Sequence, residues 1–170
     1  MKKIIILISL TAIFNFAYGQ KQFSSSTEAL AWLKTTFDKY FMKTGYDTEN
    51  SPKLDYEFTD TYLVISSRYT GYRKGNSFTL IPYKQISKVV DMEEFYAKYS
   101  NEAVGYKKSS QIALKSDCRC FKIKNGGKEF KGEQNFDELT NFIHLPFNIH
   151  EEKDILISLT NAFSIIGNNK

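Results

Sequence analysis

A cluster of cations and tyrosines at positions 68–75 is the part of the sequence best suited to binding chemistry. It contains Arg68, Tyr69, Tyr72, Arg73 and Lys74, with glycines among them. Guanidinium and ammonium groups bind phosphate and sulfate oxygens, and tyrosine rings pack against cations and sugar faces. These five residues are therefore the predicted ligand site. The alternative is a solvated loop whose charges only keep the protein soluble.

Two cysteines and two histidines form the second group of reactive residues, Cys118, Cys120, His144 and His150. Structural zinc sites usually separate their cysteines by two to four residues, and the familiar redox spacing is C-x-x-C, so a single intervening residue favours neither. In an extended strand the two Cα atoms would lie roughly 6.5–7 Å apart, at or beyond the limit for a disulfide. We predict free or weakly bridged thiols, no disulfide framework, no metal and no cofactor.

No catalytic motif accompanies the histidines. The sequence contains no G-x-S-x-G, no H-E-x-x-H and no P-loop pattern, so no residue is assigned a catalytic role. A small hydrolase-like enzyme that uses His144 or His150 beneath the segment 91–110 is one alternative to a binding protein. Structural self-association through the N-terminal helix or an open strand edge is another.

The first 19 residues have the three parts of a secretory signal. Lys2 and Lys3 precede an apolar run, and Ala17-Tyr18-Gly19 has small residues at the positions a signal peptidase requires. We predict export to the periplasm or the exterior, with a mature chain that begins at Gln20. The apolar run is shorter than the ~20 residues of a membrane span, so no transmembrane segment is predicted after cleavage, although an uncleaved anchor is the alternative.

The remaining 20–170 is long enough for a single domain with one core. The whole chain has a formal charge of +4 at pH 7, and the predicted signal carries two of its lysines. A nearly neutral mature chain gives no reason to expect nucleic-acid binding.

An amphipathic helix is predicted at about 26–42, where Ser25 and Glu28 form a capping box. Its apolar positions recur at helical spacing and must be buried. They are Ala29, Leu30, Leu33, Phe37, Tyr40 and Phe41.

A second amphipathic helix is predicted at about 150–166. Asn148 and Glu151 are its expected N-cap pair, and Gly167 is its expected left-handed stop. Its apolar face consists of Leu156, Leu159, Phe163 and Ile166. This face predicts packing against a sheet rather than a membrane or cofactor site.

Between the helices the hydrophobic period is two, which predicts about seven strands. Leu54, Tyr56 and Phe58 face inward in the first of them. A hairpin with its turn at Ser116-Asp117 is predicted to pair the strands on either side, and 91–110 is predicted as a short helix and a long loop. The other strands are predicted at 62–69, 77–81, 83–90, 128–131 and 141–147, with a helical turn at 136–139.

This element order, and the segment Ile81-Pro82-Tyr83-Lys84-Gln85-Ile86-Ser87-Lys88-Val89, resembles pleckstrin-homology-like domains of the bacterial and GRAM type over about 54–166. The resemblance implies an α+β fold, with an antiparallel, strongly bent sheet or partly open barrel closed by the C-terminal helix. The N-terminal helix is additional to that family.

The resemblance also implies a binding scaffold without conserved chemistry. In family members that bind phosphoinositides, basic residues of a hairpin loop contact the head group, and Arg68, Arg73 and Lys74 would be the nearest analogues. The prediction from sequence is therefore an exported, non-enzymatic binding module. Its expected ligand is an unidentified protein, a glycan or an anionic envelope ligand.

Overall fold

A computed structural model describes residues 20–43, 52–69, 75–92, 111–126, 136–149 and 154–168. The predicted signal segment, most of the predicted loop at 91–110, the predicted strand at 128–131 and His150 lie outside these residues.

The described chain contains two α-helices, eight β-strands and one 3₁₀ turn. In chain order they are α1 (Ser26–Tyr40), β1 (Lys53–Phe58), β2 (Tyr62–Tyr69), β3 (Gly75–Pro82), the 3₁₀ turn (Tyr83–Gln85), β4 (Lys88–Asp91), β5 (Gln111–Lys115), β6 (Phe121–Asn125), β7 (Glu138–Thr140), β8 (Phe142–Pro146) and α2 (Ile155–Asn168).

The strands form two antiparallel sheets, one in the order β1-β2-β3-β6-β7 and the other in the order β4-β5-β8. The predicted α+β class is confirmed. The prediction of one strongly bent sheet is corrected, because the described strands are divided between two sheets, which do not close into a barrel.

The predicted hairpin around Ser116-Asp117 is wrong. β5 pairs with β4 and β8, whereas β6 pairs with β3 and β7, so the segment between β5 and β6 carries the chain from one sheet to the other.

The prediction for the cysteines is also corrected at this segment, which we call the corner. Cys118 lies in a bend and Cys120 just after it, their Cα atoms are 5.3 Å apart, and they form a disulfide. The distance expected for an extended strand did not apply because the segment is not a strand.

Two further segments differ from prediction. The predicted strand at 83–90 begins as the 3₁₀ turn, whose first residue Tyr83 is buried, and only Lys88–Asp91 is a strand. The predicted helical turn at 136–139 is corrected because Glu138–Thr140 pairs with β6 as the edge strand β7.

α1 begins after Ser25, whose hydroxyl accepts a hydrogen bond from the backbone N–H of Glu28 at 3.2 Å. The Glu28 carboxylate accepts hydrogen bonds from the backbone N–H and the hydroxyl of Ser24, at 2.9 and 2.7 Å. Both bonds hold the pKa of Glu28 below its usual range, and the bond from the backbone N–H of Ser24 has the larger effect. The predicted capping is confirmed, with the reciprocal bond displaced by one residue to Ser24.

α2 begins at Ile155, not at about 150, so Asn148 is not its N-cap. The backbone N–H of Asn148 donates instead to the carbonyl of Tyr40, at 2.9 Å. Gly167 is not a left-handed stop either, because it is buried inside the last turn of α2. Among the described residues, no helix has the length and apolar character needed to cross a membrane.

The core lies between the sheets and the two helices. The apolar face predicted for α2 is confirmed, since Leu159, Phe163 and Ile166 are buried in it. Phe37 of α1 is the centre of an aromatic cluster, and its ring centroid lies 4.8–5.0 Å from those of Tyr56, Phe58 and Phe147. These edge-to-face contacts join α1 to β1 and to the end of β8.

Candidate ligand-binding groove

The register of β1 and β2 places a set of polar side chains on the face of the first sheet opposite the core. Leu63 and Ile65 of β2 point into the core, so the alternate residues Ser66 and Arg68 point outward. Lys53 of β1 lies directly opposite Arg68. We call this side of the sheet the outer face.

A cavity of about 600 Å³ opens along the outer face and around the β1 edge, and we call it the groove. This volume is in the range of ligand sites, which is roughly 300–1,000 Å³. The groove contains cations, carboxylates, hydroxyls and an amide above an apolar floor. These side chains belong to Lys43, Lys53, Arg68, Asp55, Glu57, Ser66, Asn76 and Phe78.

Lys53 and Arg68 form the cationic end of the groove. Directly opposite residues in an antiparallel pair have Cβ atoms about 4.5–5.5 Å apart, and like charges in that position are destabilising. Within the described part of the chain, neither side chain makes a hydrogen bond or an ion pair. An anion seated between them would relieve this repulsion.

Asp55 and Glu57 follow Lys53 at every second position of β1, so they share its face. Asp55 lies opposite Ser66, and its carboxylate accepts a hydrogen bond from the backbone N–H of Tyr56 at 2.9 Å. The groove thus changes from cationic to anionic along one strand. It can donate hydrogen bonds at one end and accept them at the other.

The floor of the groove is apolar and well packed. Phe78 of β3 lies opposite Ser66 and is only 6% exposed, and its neighbours on the outer face, Val64 and Leu80, are also buried. A rigid floor limits the movement of the polar groups above it, which lowers the entropy lost on binding.

β1 is anchored to the rest of the fold on its other side. The backbone N–H of Leu54 donates to the carbonyl of Lys43 at 2.7 Å, and the hydroxyl of Tyr56 donates to the carboxylate of Asp38 in α1. Burial raises the pKa of Tyr56, and the hydrogen bond to Asp38 raises it further. Tyr56 therefore remains a neutral hydrogen-bond donor over the physiological pH range.

Of the five predicted site residues, the structure describes the side chain of one, Arg68. Arg68 is exposed and lines the groove. The backbone of Tyr69 ends β2 opposite Gly75, but its side chain lies outside the described part, as do Tyr72, Arg73 and Lys74.

We did not predict Lys53, Asp55 and Glu57 as site residues from the sequence, because only the inward-facing residues of β1 were considered. The signal was nevertheless present in the tight connection Thr59–Thr61. Counting back from that turn pairs Phe58 with Leu63 and hence Lys53 with Arg68.

His144 lies away from the groove. It is on β8 opposite Ala113, and its ring packs edge-on against Phe142 with the centroids 4.7 Å apart. His144 is exposed, yet desolvation by its neighbours lowers the pKa of its imidazole, which favours the neutral form. It lines neither the groove nor the smaller cavity of about 190 Å³ between the 3₁₀ turn and the end of α2.

Among the described residues, no group of three or more histidine, cysteine, aspartate or glutamate side chains is placed to hold a metal ion. Comparison with known proteins finds no protein-family model, no curated protein and no solved structure that matches the chain. The groove is therefore interpreted from its own geometry and charge.

Proposed function

We propose that this chain is a non-enzymatic binding module that holds an anionic group of its ligand in the groove. The proposal rests on the opposition of Lys53 and Arg68 across β1 and β2, where neither side chain forms an ion pair within the described residues. Two facing cations repel each other and lower the stability of the free protein. An anionic ligand removes this repulsion, which makes its binding more favourable.

The chemistry of the two side chains favours an oxyanion. An arginine guanidinium presents a planar fork that matches the oxygens of a carboxylate, phosphate or sulfate group, and a lysine ammonium adds a compact point charge. Both side chains lie at the surface, so binding must weaken as the ionic strength rises.

The other residues of the groove indicate what surrounds the anionic group. Asp55 and Glu57 accept hydrogen bonds, and Ser66 and Asn76 both donate and accept them. The hydroxyls of an acidic glycan match these partners. An acidic glycan of the cell envelope is therefore the proposed class of ligand.

We further propose the location and scaffold that the sequence predicts. The chain is exported, its scaffold is pleckstrin-homology-like, and α2 closes the open side of the sheets. The two-helix α+β architecture and the buried face of α2 support this view. On this account α2 has a structural role and the outer face of the first sheet carries the function.

Calorimetric titration at low ionic strength tests the proposal, with inorganic phosphate, inorganic sulfate and a sulfated disaccharide as probes. We expect saturable binding that Lys53→Gln and Arg68→Gln each weaken several-fold and that the double variant abolishes. Lys88→Gln is the matched control, since it removes an exposed strand lysine from the other sheet. Equal binding by the double variant and by wild type would overturn the proposal.

A further inference from the structure

The disulfide between Cys118 and Cys120 lies at the corner where the chain passes from β5 of one sheet to β6 of the other. It closes a loop that contains only Arg119. Both cysteines are partly exposed, so an external thiol can reach the bridge from solvent.

The corner has other contacts that hold it in place. The backbone N–H of Ser116 donates to the carbonyl of Asn141 at 2.9 Å. The guanidinium of Arg119 donates twice to the carbonyl of Leu139, at 3.1 and 2.8 Å. A disulfide restricts the unfolded chain less as the loop it closes becomes shorter. A bridge across one residue, at a corner already held by these bonds, is therefore poorly explained as a structural cross-link.

The surroundings of the two sulfurs differ. The hydroxyl of Ser116, a residue only 4% exposed, lies 3.2 Å from Sγ of Cys118 and is placed to donate to it. The side-chain oxygen of Gln85 lies 3.2 Å from the same sulfur. No such contact to Cys120 occurs among the described residues. Among the described residues, then, only Cys118 has side-chain groups placed to stabilise its reduced form.

The two contacts suit different protonation states of reduced Cys118. The Ser116 hydroxyl can donate to a Cys118 thiolate. Once the sulfur is protonated, the thiol can donate to the Gln85 oxygen. A disulfide whose reduced form is stabilised in this way is an oxidant toward other thiols.

We propose that Cys118 and Cys120 form a thiol–disulfide exchange centre that oxidises a protein or peptide dithiol. A substrate thiolate attacks Sγ of Cys120, the S–S bond breaks, and its electron pair leaves on Cys118 as a thiolate held by Ser116. The second substrate thiolate then attacks the substrate sulfur of the mixed disulfide and releases the Cys120 thiolate. The substrate gains a disulfide by losing two electrons, and the protein gains them together with two protons as two thiols.

The direction of attack is tested with oxidised wild-type protein and reduced glutathione. The mixture is quenched with iodoacetamide, and the modified peptides are identified by mass spectrometry. We expect glutathione on Cys120 and the alkyl group on Cys118. A bridge that resists millimolar glutathione, or glutathione found equally on both cysteines, would overturn the proposal.

The role of Ser116 is tested by the rate of the same exchange and by the pH dependence of Cys118 alkylation in the reduced protein. We expect Ser116→Ala to slow exchange several-fold and to move the alkylation midpoint to higher pH. Ser87→Ala is the matched control, because Ser87 donates to the carbonyl of Lys115 beside the same corner without touching a sulfur. Identical behaviour of the two variants would contradict the assigned role. The glutathione result on wild type is decisive should Ser116→Ala fail to fold.

Discussion

Gly167, in the last turn of α2, lies directly against the backbone of Lys84 in the 3₁₀ turn. A Cβ placed on Gly167 would lie 2.7 Å from the Lys84 Cα and 2.9 Å from its backbone nitrogen. Atoms of the main chain cannot move aside as the end of a flexible side chain can. The glycine is thus required by the close approach of the helix to the turn, and not by a left-handed conformation.

This contact predicts that Gly167→Ala destabilises the protein. Alanine is about 1 kcal/mol better than glycine in a helix interior, so propensity alone would raise stability. Overpacking against the backbone costs about 1–3 kcal/mol, and we expect it to prevail. Gly75→Ala is the control, because a Cβ there meets nothing within 4 Å. Urea unfolding measures both variants, and a Gly167→Ala protein at least as stable as wild type would contradict the packing described.

Phe163 provides a test of the core. Its side chain is fully buried on α2, and Phe163→Asp removes a large apolar group and buries a charge. Losing the ring alone costs about 3–5 kcal/mol, so we expect the variant to be unfolded or nearly so. Ile157 of the same helix is 44% exposed, and Ile157→Asp should change stability by no more than about 0.5 kcal/mol. Circular dichroism during heating distinguishes them, and similar melting temperatures would show that the face of α2 is misassigned.

The burial of Tyr83 predicts that the protein loses stability at alkaline pH. Its ring is buried and its hydroxyl donates to the carbonyl of Thr59 at 2.8 Å. Burial raises the pKa of Tyr83, and the carboxylates of Asp60 and Glu57 add to the shift.

Below about pH 10 the tyrosine is protonated in both the folded and the unfolded chain, so its contribution to stability is fully present. At higher pH the unfolded chain releases a proton that the folded chain keeps, and the free energy of unfolding falls. We expect Tyr83→Phe to show a shallower fall than wild type in urea unfolding above about pH 10. Equal slopes would mean that Tyr83 is not protected from ionisation.

Much of the first sheet could be predicted from the sequence, because its information is local. The alternation of Leu54, Tyr56 and Phe58 identifies β1 and its inward face, and β2 has the bounds predicted for it. The apolar spacing of both helices also gave their buried faces correctly. These features depend on residues a few positions apart.

The errors concern contacts between distant residues. Ser116-Asp117 has the composition of a hairpin turn, yet β5 finds its partners in β4 and β8, which only the complete sheet determines. Likewise, a glycine at position 167 is typical of a helix stop, but Gly167 is required by its close contact with the backbone of Lys84. Of the residues that line the groove, only Arg68 was predicted from the sequence as a site residue. The residues of β1 join it there because β1 pairs with β2.

Lys53 and Arg68 are proposed to hold an oxyanion on the outer face of the first sheet. Titration of ¹⁵N-labelled protein with the sulfated disaccharide, followed by two-dimensional NMR, tests this proposal most directly. We expect saturable shifts at the amides of Lys53, Ser66, Arg68 and Asn76, and none in β4, β5 and β8. The Lys53→Gln/Arg68→Gln variant should lose these shifts. Shifts that persist unchanged in that variant, or that fall only on the second sheet, would contradict it.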